Sequence, residues 1–415
     1  MVRLKGFKER MEVNRALELI RNVELRRVDN ENVLIEEACG RILAEDIVAN
    51  YDIPHFDRSA VDGYAVFAED TFGASLNSPV TLKIIGEVEI GEKPIEMGRG
   101  EAVKVSTGSA LPRGANAVVM LEYTKELDGF VEIYKPVVPF ENVSKKGEDV
   151  KAGEVVLKAG EILQPQDIGV LASLGYKVVK VLRKPKVVII STGNELIEVG
   201  ESLEIGKVIN SNAYMLSCAL RMYNCEPINY GIVEDDLNEL KSALEFCVSV
   251  GDCVITTGGT SVGKRDLVPE AVKELGEIIF HGISIKPGMP TGFGVIDKKP
   301  VLILSGFPVA CLIGFELLFP HVLSKLTGVR VVRRRGEIVK AKLTRRIPSK
   351  AGMRTFARVI YRDGFAEPFM TSGSGILTSM VKANGIVVVP EEKEGFEEGE
   401  EVNVVLVRDL TEKVC

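Results

Sequence analysis

From residue 185 to about 327, short apolar runs alternate with segments of helical spacing, and this alternation restricts the fold more than any other feature. The runs Lys186 to Ile190, Pro227 to Val233, Cys253 to Thr256, Ile278 to Ile285 and Val301 to Leu304 read as buried strands. Between them, Ser211 to Tyr223, Asp236 to Val248, Leu267 to Leu275 and Val309 to Leu318 read as helices. Strands that alternate with helices build a largely parallel sheet covered on both faces. Such a sheet takes its ligand beyond the carboxyl ends of its strands.

The flanks have a different texture. Val13, Ala16, Leu17 and Ile20 recur at helical spacing near the start. From about 31 to 180, β-branched runs such as Val80 to Ile85, Ala102 to Val105, Ala117 to Leu121 and Phe130 to Val138 are separated by Gly, Pro, Asn and Asp, the pattern of small all-β modules. After Gly328 a last β-rich segment opens on a basic stretch, 330–346, and closes on an acidic one, 391–401; both read as solvated or mutually pairing surface. At 415 residues the chain has room for two to four domains.

A net charge of −7 argues against general nucleic-acid binding, which rests on neutralising phosphates. Cys39, Cys218, Cys225, Cys247, Cys253, Cys311 and Cys415 form no C-x-x-C pair, which points away from a disulfide framework or structural zinc and toward the cytoplasm. The apolar stretch 301–323 is broken by Ser305-Gly306-Phe307-Pro308, so it reads as strand, turn and a buried helix ending near Pro320 rather than a membrane span.

The most informative local signal is TTGGTSVGKRD, Thr256 to Asp266, directly after an apolar strand. A glycine-rich turn between strand and helix aims backbone N–H groups at one place, which suits phosphate. Gly258 to Lys264 spells most of a P-loop, but Arg265 stands where a P-loop needs Ser or Thr for magnesium. Gly259 to Gly263 also spells a nucleophile elbow, for which only His281 and His321 could follow as base. A tight turn with no ligand is the plain alternative. At neighbouring strand ends stand Glu195, the pair Asp235 and Asp236, and Lys286. Carboxylates beside a phosphate loop are the usual way to hold a magnesium ion that keeps most of its waters, although any one of them alone would more simply cap a helix. The turns around Asp62, around Thr107 and Ser109, and from Thr371 to Gly375 with Ser372 and Ser374 offer further hydroxyls and N–H groups.

These motifs stand in a recognisable order. FDRSAVDGYA (56–65), GEAVKVSTGSALPRGANAVVMLE (100–122), KKGEDVKAG (145–153), RKPKVVIISTGNEL (183–196), INSNAYML (209–216), TTGGTSVGKRD (256–266), IKPGMPTGFG (285–294) and LSGFPVA (304–310) span nearly the whole chain. The chain resembles the molybdopterin molybdotransferase family, that of MoeA and the gephyrin E domain.

The resemblance implies a multidomain α/β plus all-β protein with an elongated subunit. Its parts would be a discontinuous N-terminal domain (1–44 with 141–180), an inserted β module (45–140), a parallel α/β molybdopterin-binding domain (181–327) and a C-terminal β-barrel (328–415). It implies a cytoplasmic homodimer whose cleft is shared between subunits, supplied by the upstream molybdopterin adenylyltransferase. The implied reaction inserts molybdate or tungstate into adenylylated molybdopterin, with Mg2+ assistance and release of AMP. On the family's pattern Asp62, Thr107, Asp149, Glu195, Asp266 and Lys286 would be catalytic, and Asp235, Asp236 and Asp266 would hold the metal. Thr257, Gly258, Gly259, Ser261, Gly263, Ser305, Gly306, Pro308, Ser372 and Ser374 would bind the pterin nucleotide or the oxyanion.

The chain departs from the family at four positions. Met289 replaces the second lysine of K-P-G-K-P, Ser305 and Phe307 replace the Pro and Asn of P-G-N-P, and Gly282 stands where some members have lysine. Other readings of the same residues are an adenylyltransferase or pyrophosphatase built on the α/β domain, and a dimeric scaffold. Only Gln164 and Gln166 represent glutamine, a scarcity seen in hyperthermophilic chains, whose organisms often favour tungsten.

Overall fold

The computed structural model describes residues 10–259, 267–330 and 336–408. They fall into two compact units, one of residues up to Asn30 with Leu182 onward, the other Glu31–Val181.

The first unit is built on a six-stranded sheet in the order Glu226–Val233, Lys186–Thr192, Cys253–Gly258, Lys299–Leu304, Gly292–Ile296, Glu277–His281. The first four strands are parallel; Gly292–Ile296 runs antiparallel to its two neighbours, so Glu277–His281 again points the same way as the first four. Side chains along a strand alternate between faces, and the core divides accordingly. Val187, Ile189, Cys253, Ile255, Leu302 and Leu304 pack with the helices Val13–Asn22, Ser211–Met222 and Pro308–Thr327. Val188, Ile190, Val254, Val301 and Ile303 pack with Leu237–Val250 and Leu267–Leu275 on the other face.

Two sequence expectations are corrected here. The run Ile278 to Ile285 is two strands rather than one: Glu277–His281 stays in the sheet, and Ile285–Lys286 pairs with Arg354–Thr355 beyond it. Gly282, at φ +94°, turns the chain between them. The helix expected to stop near Pro320 runs on to Thr327. A proline inside a helix costs about 3 kcal/mol, but Phe319, Val322, Leu323 and Leu326 beyond or beside it are all buried. Burying each large apolar side chain returns roughly 1.5–3 kcal/mol, enough to hold the helix together. This helix is long and apolar enough to cross a membrane by composition, yet most of its residues lie in the core. The apolar stripe Val13, Ala16, Leu17 and Ile20 is buried in the α/β core, and the residues up to Asn30 group with Leu182 onward. The strand Gly292–Ile296 was not foreseen, since its two glycines dilute the β-branched signal.

Beyond the sheet, Arg354–Arg362, Phe365–Met370, Ile338–Leu343, Glu401–Leu406 and Gly385–Val389 pair in that order and back to Arg354–Arg362, closing a five-stranded barrel. Ala357, Val359, Val387, Val389, Val402 and Val404 fill it. The basic and acidic runs pair on its surface, with Lys340 on Glu401 at 2.9 Å and Arg346 on Glu397 at 3.1 Å.

The second unit carries a six-stranded sheet in the order Ala117–Met120, Gly63–Val66, Glu101–Val105, Val80–Val88, Phe130–Ile133, Thr124–Leu127. A separate apolar cluster joins Leu43, Ile47, Leu163, Leu171 and Val181.

Candidate active site

The carboxyl ends of three adjacent parallel strands converge on one cleft of about 660 Å³. Thr192 ends the first strand and Glu195 follows it, Thr257 and Gly258 end the second and Gly259 follows it, and Ser305, Gly306, Phe307 and Pro308 follow the third. Asn210 and Asn212, at the start of the helix Ser211–Met222, and Gly375 and Leu377 of the barrel also line it. Of the residues expected in the site, Thr257, Gly258, Gly259, Glu195, Ser305, Gly306 and Pro308 are therefore brought together.

The local backbone explains the glycines. Gly258 has φ +92°, and a Cβ there would stand 2.1 Å from the Thr192 carbonyl oxygen. Gly259 has φ +61°, with a Cβ position 2.8 Å from Val268 Cγ2. A Cβ on Gly306 would meet the Gly258 Cα at 3.4 Å, so the two turns pack backbone against backbone. Only glycine gives this close approach together with a left-handed turn.

Behind the turns runs a buried polar chain. Thr257 Oγ1 donates to Ser191 Oγ at 3.3 Å, and Ser191 Oγ donates to Asn210 Oδ1 at 2.9 Å. Asn212 Nδ2 donates to the Gly306 carbonyl at 2.8 Å. Asn210 Nδ2 and Asn212 Oδ1 are buried with no hydrogen-bond partner among the described residues. A buried polar group left in this way costs about 1–3 kcal/mol, and it is at binding sites that such a cost is recovered.

The acids differ in their engagement. Asp235 Oδ1 accepts from Thr192 Oγ1 at 2.9 Å, which ties it to a residue of the lining. Asp236 Oδ1 accepts from the N–H groups of Asn238 and Glu239, at 2.8 and 3.0 Å, and so caps the helix Leu237–Val250. The Glu195 carboxylate folds back over its own turn, within 2.6 Å of where a Gly193 Cβ would stand. Among the described residues no group of three His, Cys, Asp or Glu side chains gathers as a metal site. Asp266, Ser261 and Gly263 lie outside the described residues.

Lys286 is exposed on the short strand that pairs with the barrel and is not part of the lining; Pro290, four residues on, is. Ser372 and Ser374 do not line the cleft either, although their loop contributes Gly375 and Leu377. The Ser374 carbonyl accepts from Val309 N–H at 2.9 Å, joining this loop to the first turn of the helix Pro308–Thr327.

In the second unit Asp62 Oδ1 accepts from the N–H and the hydroxyl of Thr107, at 2.7 and 3.0 Å. These two donors hold its carboxyl below the ordinary aspartate range. Asp149 is exposed, its N–H bonded to the Ile53 carbonyl.

Arg358 is a buried cation that sequence reasoning did not single out. Though 1% exposed, it donates to the carbonyls of Met370 at 3.2 Å, Gly373 at 3.3 Å and Ser372, and to Ser379 Oγ at 3.1 Å. It thereby holds the loop that carries Gly375 into the cleft. The only signal was an arginine between the apolar Ala357 and Val359. Asn210, Asn212 and Phe307 were likewise passed over as ligand contacts.

Three family models match the chain in succession: the MoeA N-terminal region (domain I and II) over residues 11–175, a probable molybdopterin binding domain over 188–325, and the MoeA C-terminal region (domain IV) over 340–407. A Methanocaldococcus jannaschii protein named for molybdopterin biosynthesis is 45% identical, covering 93% of each chain. A molybdopterin molybdenumtransferase of Staphylococcus aureus is 38% identical over 90% of each. The solved structure of a MoeA protein from Pyrococcus horikoshii superposes with a TM-score of 0.85 at 41% identity, covering 97% of this chain and all of that one.

Proposed function

Since this chain belongs to the MoeA family and is a molybdopterin molybdenumtransferase of molybdenum cofactor biosynthesis, we propose that its cleft takes adenylylated molybdopterin, accepts molybdate or tungstate with Mg2+ assistance, and releases AMP. The observation that carries this reading is the pair of glycine turns at the strand ends, bordered by carboxylates.

Gly258 and Gly259 line the cleft at the start of the glycine-rich turn, whose backbone N–H groups would receive the pyrophosphate linking pterin and adenylate. The donors nearby are all hard oxygens: the Asp235 carboxylate, the Glu195 carboxylate and the Thr192 hydroxyl. That set fits Mg2+, which prefers one or two carboxylates plus substrate phosphate and water. Asp235, Asp236 and Asp266 would hold the ion. When bound, Mg2+ supplies charge neutralisation as the anhydride breaks. The chain's own part is positional. Thr192 fixes the Asp235 carboxylate, and Asn212 fixes the Gly306 turn against Gly258. Arg358 holds the Ser372–Ser374 loop, whose hydroxyls are assigned to the oxyanion together with the Lys286 ammonium.

The working form on this reading is a cytoplasmic homodimer, in which Asp62, Thr107 and Asp149 act on the substrate held by a second copy. The six described cysteines, all free thiols, support a reducing compartment. The upstream molybdopterin adenylyltransferase would deliver the substrate.

The test is to supply adenylylated molybdopterin and Mg2+ and follow AMP with molybdate, with tungstate and with neither. Oxyanion-dependent release is expected, and the two rates rank the metals. Release without oxyanion would instead make the protein a pyrophosphatase.

A further inference from the structure

Phe307 is 61% exposed, although it immediately precedes a helix whose next side chains, Val309, Ala310 and Cys311, are almost wholly buried. Its ring therefore adds nothing to the core, and it lines the cleft instead. The backbone beneath it is fixed with unusual care. The Phe307 N–H donates to Ser305 Oγ at 3.3 Å, its carbonyl accepts from Cys311 N–H at 2.8 Å, and the preceding carbonyl, of Gly306, is held by Asn212. Beside the ring lies Gly375: a Cβ there would come within 3.3 Å of Phe307 Cδ1. Pro290, Leu377, Val208 and Ile209 add apolar surface to the same cleft.

We infer that Phe307 is a stacking platform for a planar nitrogen heterocycle of the substrate, and so a residue that sets which ring the cleft accepts. The inference rests on the reading of the cleft given above. Gly306, next to Phe307, packs on Gly258, so the platform stands beside the turn assigned to phosphate. A ring linked to that phosphate through a few bonds falls within its reach. An electron-rich benzene face attracts the electron-poor face of a pterin or purine, and such stacking tolerates differences in ring substituents. The Asn that the family's pattern leads one to expect at this position would offer hydrogen bonds and no such face. Its replacement by Phe307 thus shifts recognition from polar edge to ring plane.

Both ring sources share this chemistry, and separate probes distinguish them. Wild type, Phe307→Ala and Phe307→Tyr are titrated with 6-hydroxymethylpterin, with AMP and with inorganic pyrophosphate, each with Mg2+, by calorimetry and, for the pterin, by quenching of its fluorescence. Loss of stacking predicts about tenfold weaker binding of one ring-bearing probe to Phe307→Ala. Phe307→Tyr should bind like wild type, and pyrophosphate should bind all three proteins equally. The ring that loses affinity identifies the source. Unchanged affinities for both rings would overturn the proposal, and so would an equal loss for pyrophosphate. Weaker self-association of Phe307→Ala with unchanged ring binding would reassign the side chain to a subunit contact. Should wild type bind none of the probes, the reading of the cleft itself fails, and the stacking proposal with it.

Discussion

At the amino ends of the central strands, Asp252 takes two hydrogen bonds from Arg183, at 2.7 and 2.9 Å, and a third from the Lys186 N–H at 2.7 Å. Lys299 there donates to the last turn of the helix Leu237–Val250, at the Val248 carbonyl. At the carboxyl ends of the same strands, Asn210 Nδ2 and Asn212 Oδ1 stand buried without partners among the described residues, two turns meet backbone to backbone, and a phenylalanine faces solvent. One sheet thus has an end whose polar groups are satisfied within the fold and an end whose groups are left for something else. A binding site needs unsatisfied capacity, and a fold can carry that cost only where the rest of its polar groups are paired.

Substitutions at the two ends should therefore fail in different ways. The largest effect is expected at Gly258→Ala, where the new Cβ would stand 2.1 Å from the Thr192 carbonyl oxygen at positive φ. It should cost about 3 kcal/mol in urea unfolding and abolish AMP release. A variant of wild-type stability would show that the turn can open, and would break the backbone-to-backbone account.

Next in size, Asp252→Ala at the amino end should cost about 2 kcal/mol, because it removes the carboxylate that accepts two bonds from Arg183 and one from the Lys186 N–H, while turnover per folded molecule stays at the wild-type level. Asp235→Asn is the converse. Its stability should fall within about 0.5 kcal/mol of wild type, as for an exposed surface change, while AMP release falls at least tenfold. If Asp252→Ala lost turnover in the folded protein, or Asp235→Asn kept it, the contrast between the ends would be lost.

The smallest effect is a pH dependence. Burial works to raise the Asp252 pKa, but its bonds from Arg183 and Lys186 outweigh burial and hold it below the ordinary 3.8. A depressed folded pKa gives stability that is full above the unfolded value and is lost as pH falls through the folded one. Wild type should therefore weaken below about pH 4 more steeply than Asp252→Asn, in urea midpoints taken between pH 5 and pH 3. Parallel acid profiles would show that Asp252 does not carry this linkage.

Much of this contrast was legible in the chain, and unevenly so. The parallel strands were plain because each is a run of buried β-branched or aliphatic residues bounded by Gly, Pro, Asn or Asp, as at Lys186–Thr192 and Cys253–Gly258. Gly258 and Gly259 were plain because glycine between strand and helix has few other uses. What stayed hidden depended on contacts distant in sequence. The helix Pro308–Thr327 outlasts its proline because of the core around it, which no local propensity reports. Arg358 looks like a surface residue until the barrel closes around it and the loop 370–373 turns its carbonyls inward. Asp236 and Asp235 are adjacent and chemically identical, and only the structure separates the helix cap from the carboxylate bound to Thr192. Phe307 was visible as a departure from a pattern, but its exposure beside Gly375 had to be seen.

The measurement that bears most directly on the account is the coupling ratio in a single turnover: the AMP released against the molybdenum or tungsten retained on the pterin, with adenylylated molybdopterin, Mg2+ and one oxyanion at a time. The account predicts one AMP for each metal atom inserted and essentially none when oxyanion is withheld. AMP appearing without oxyanion, or metal retained on the pterin with the adenylate still attached, would contradict it.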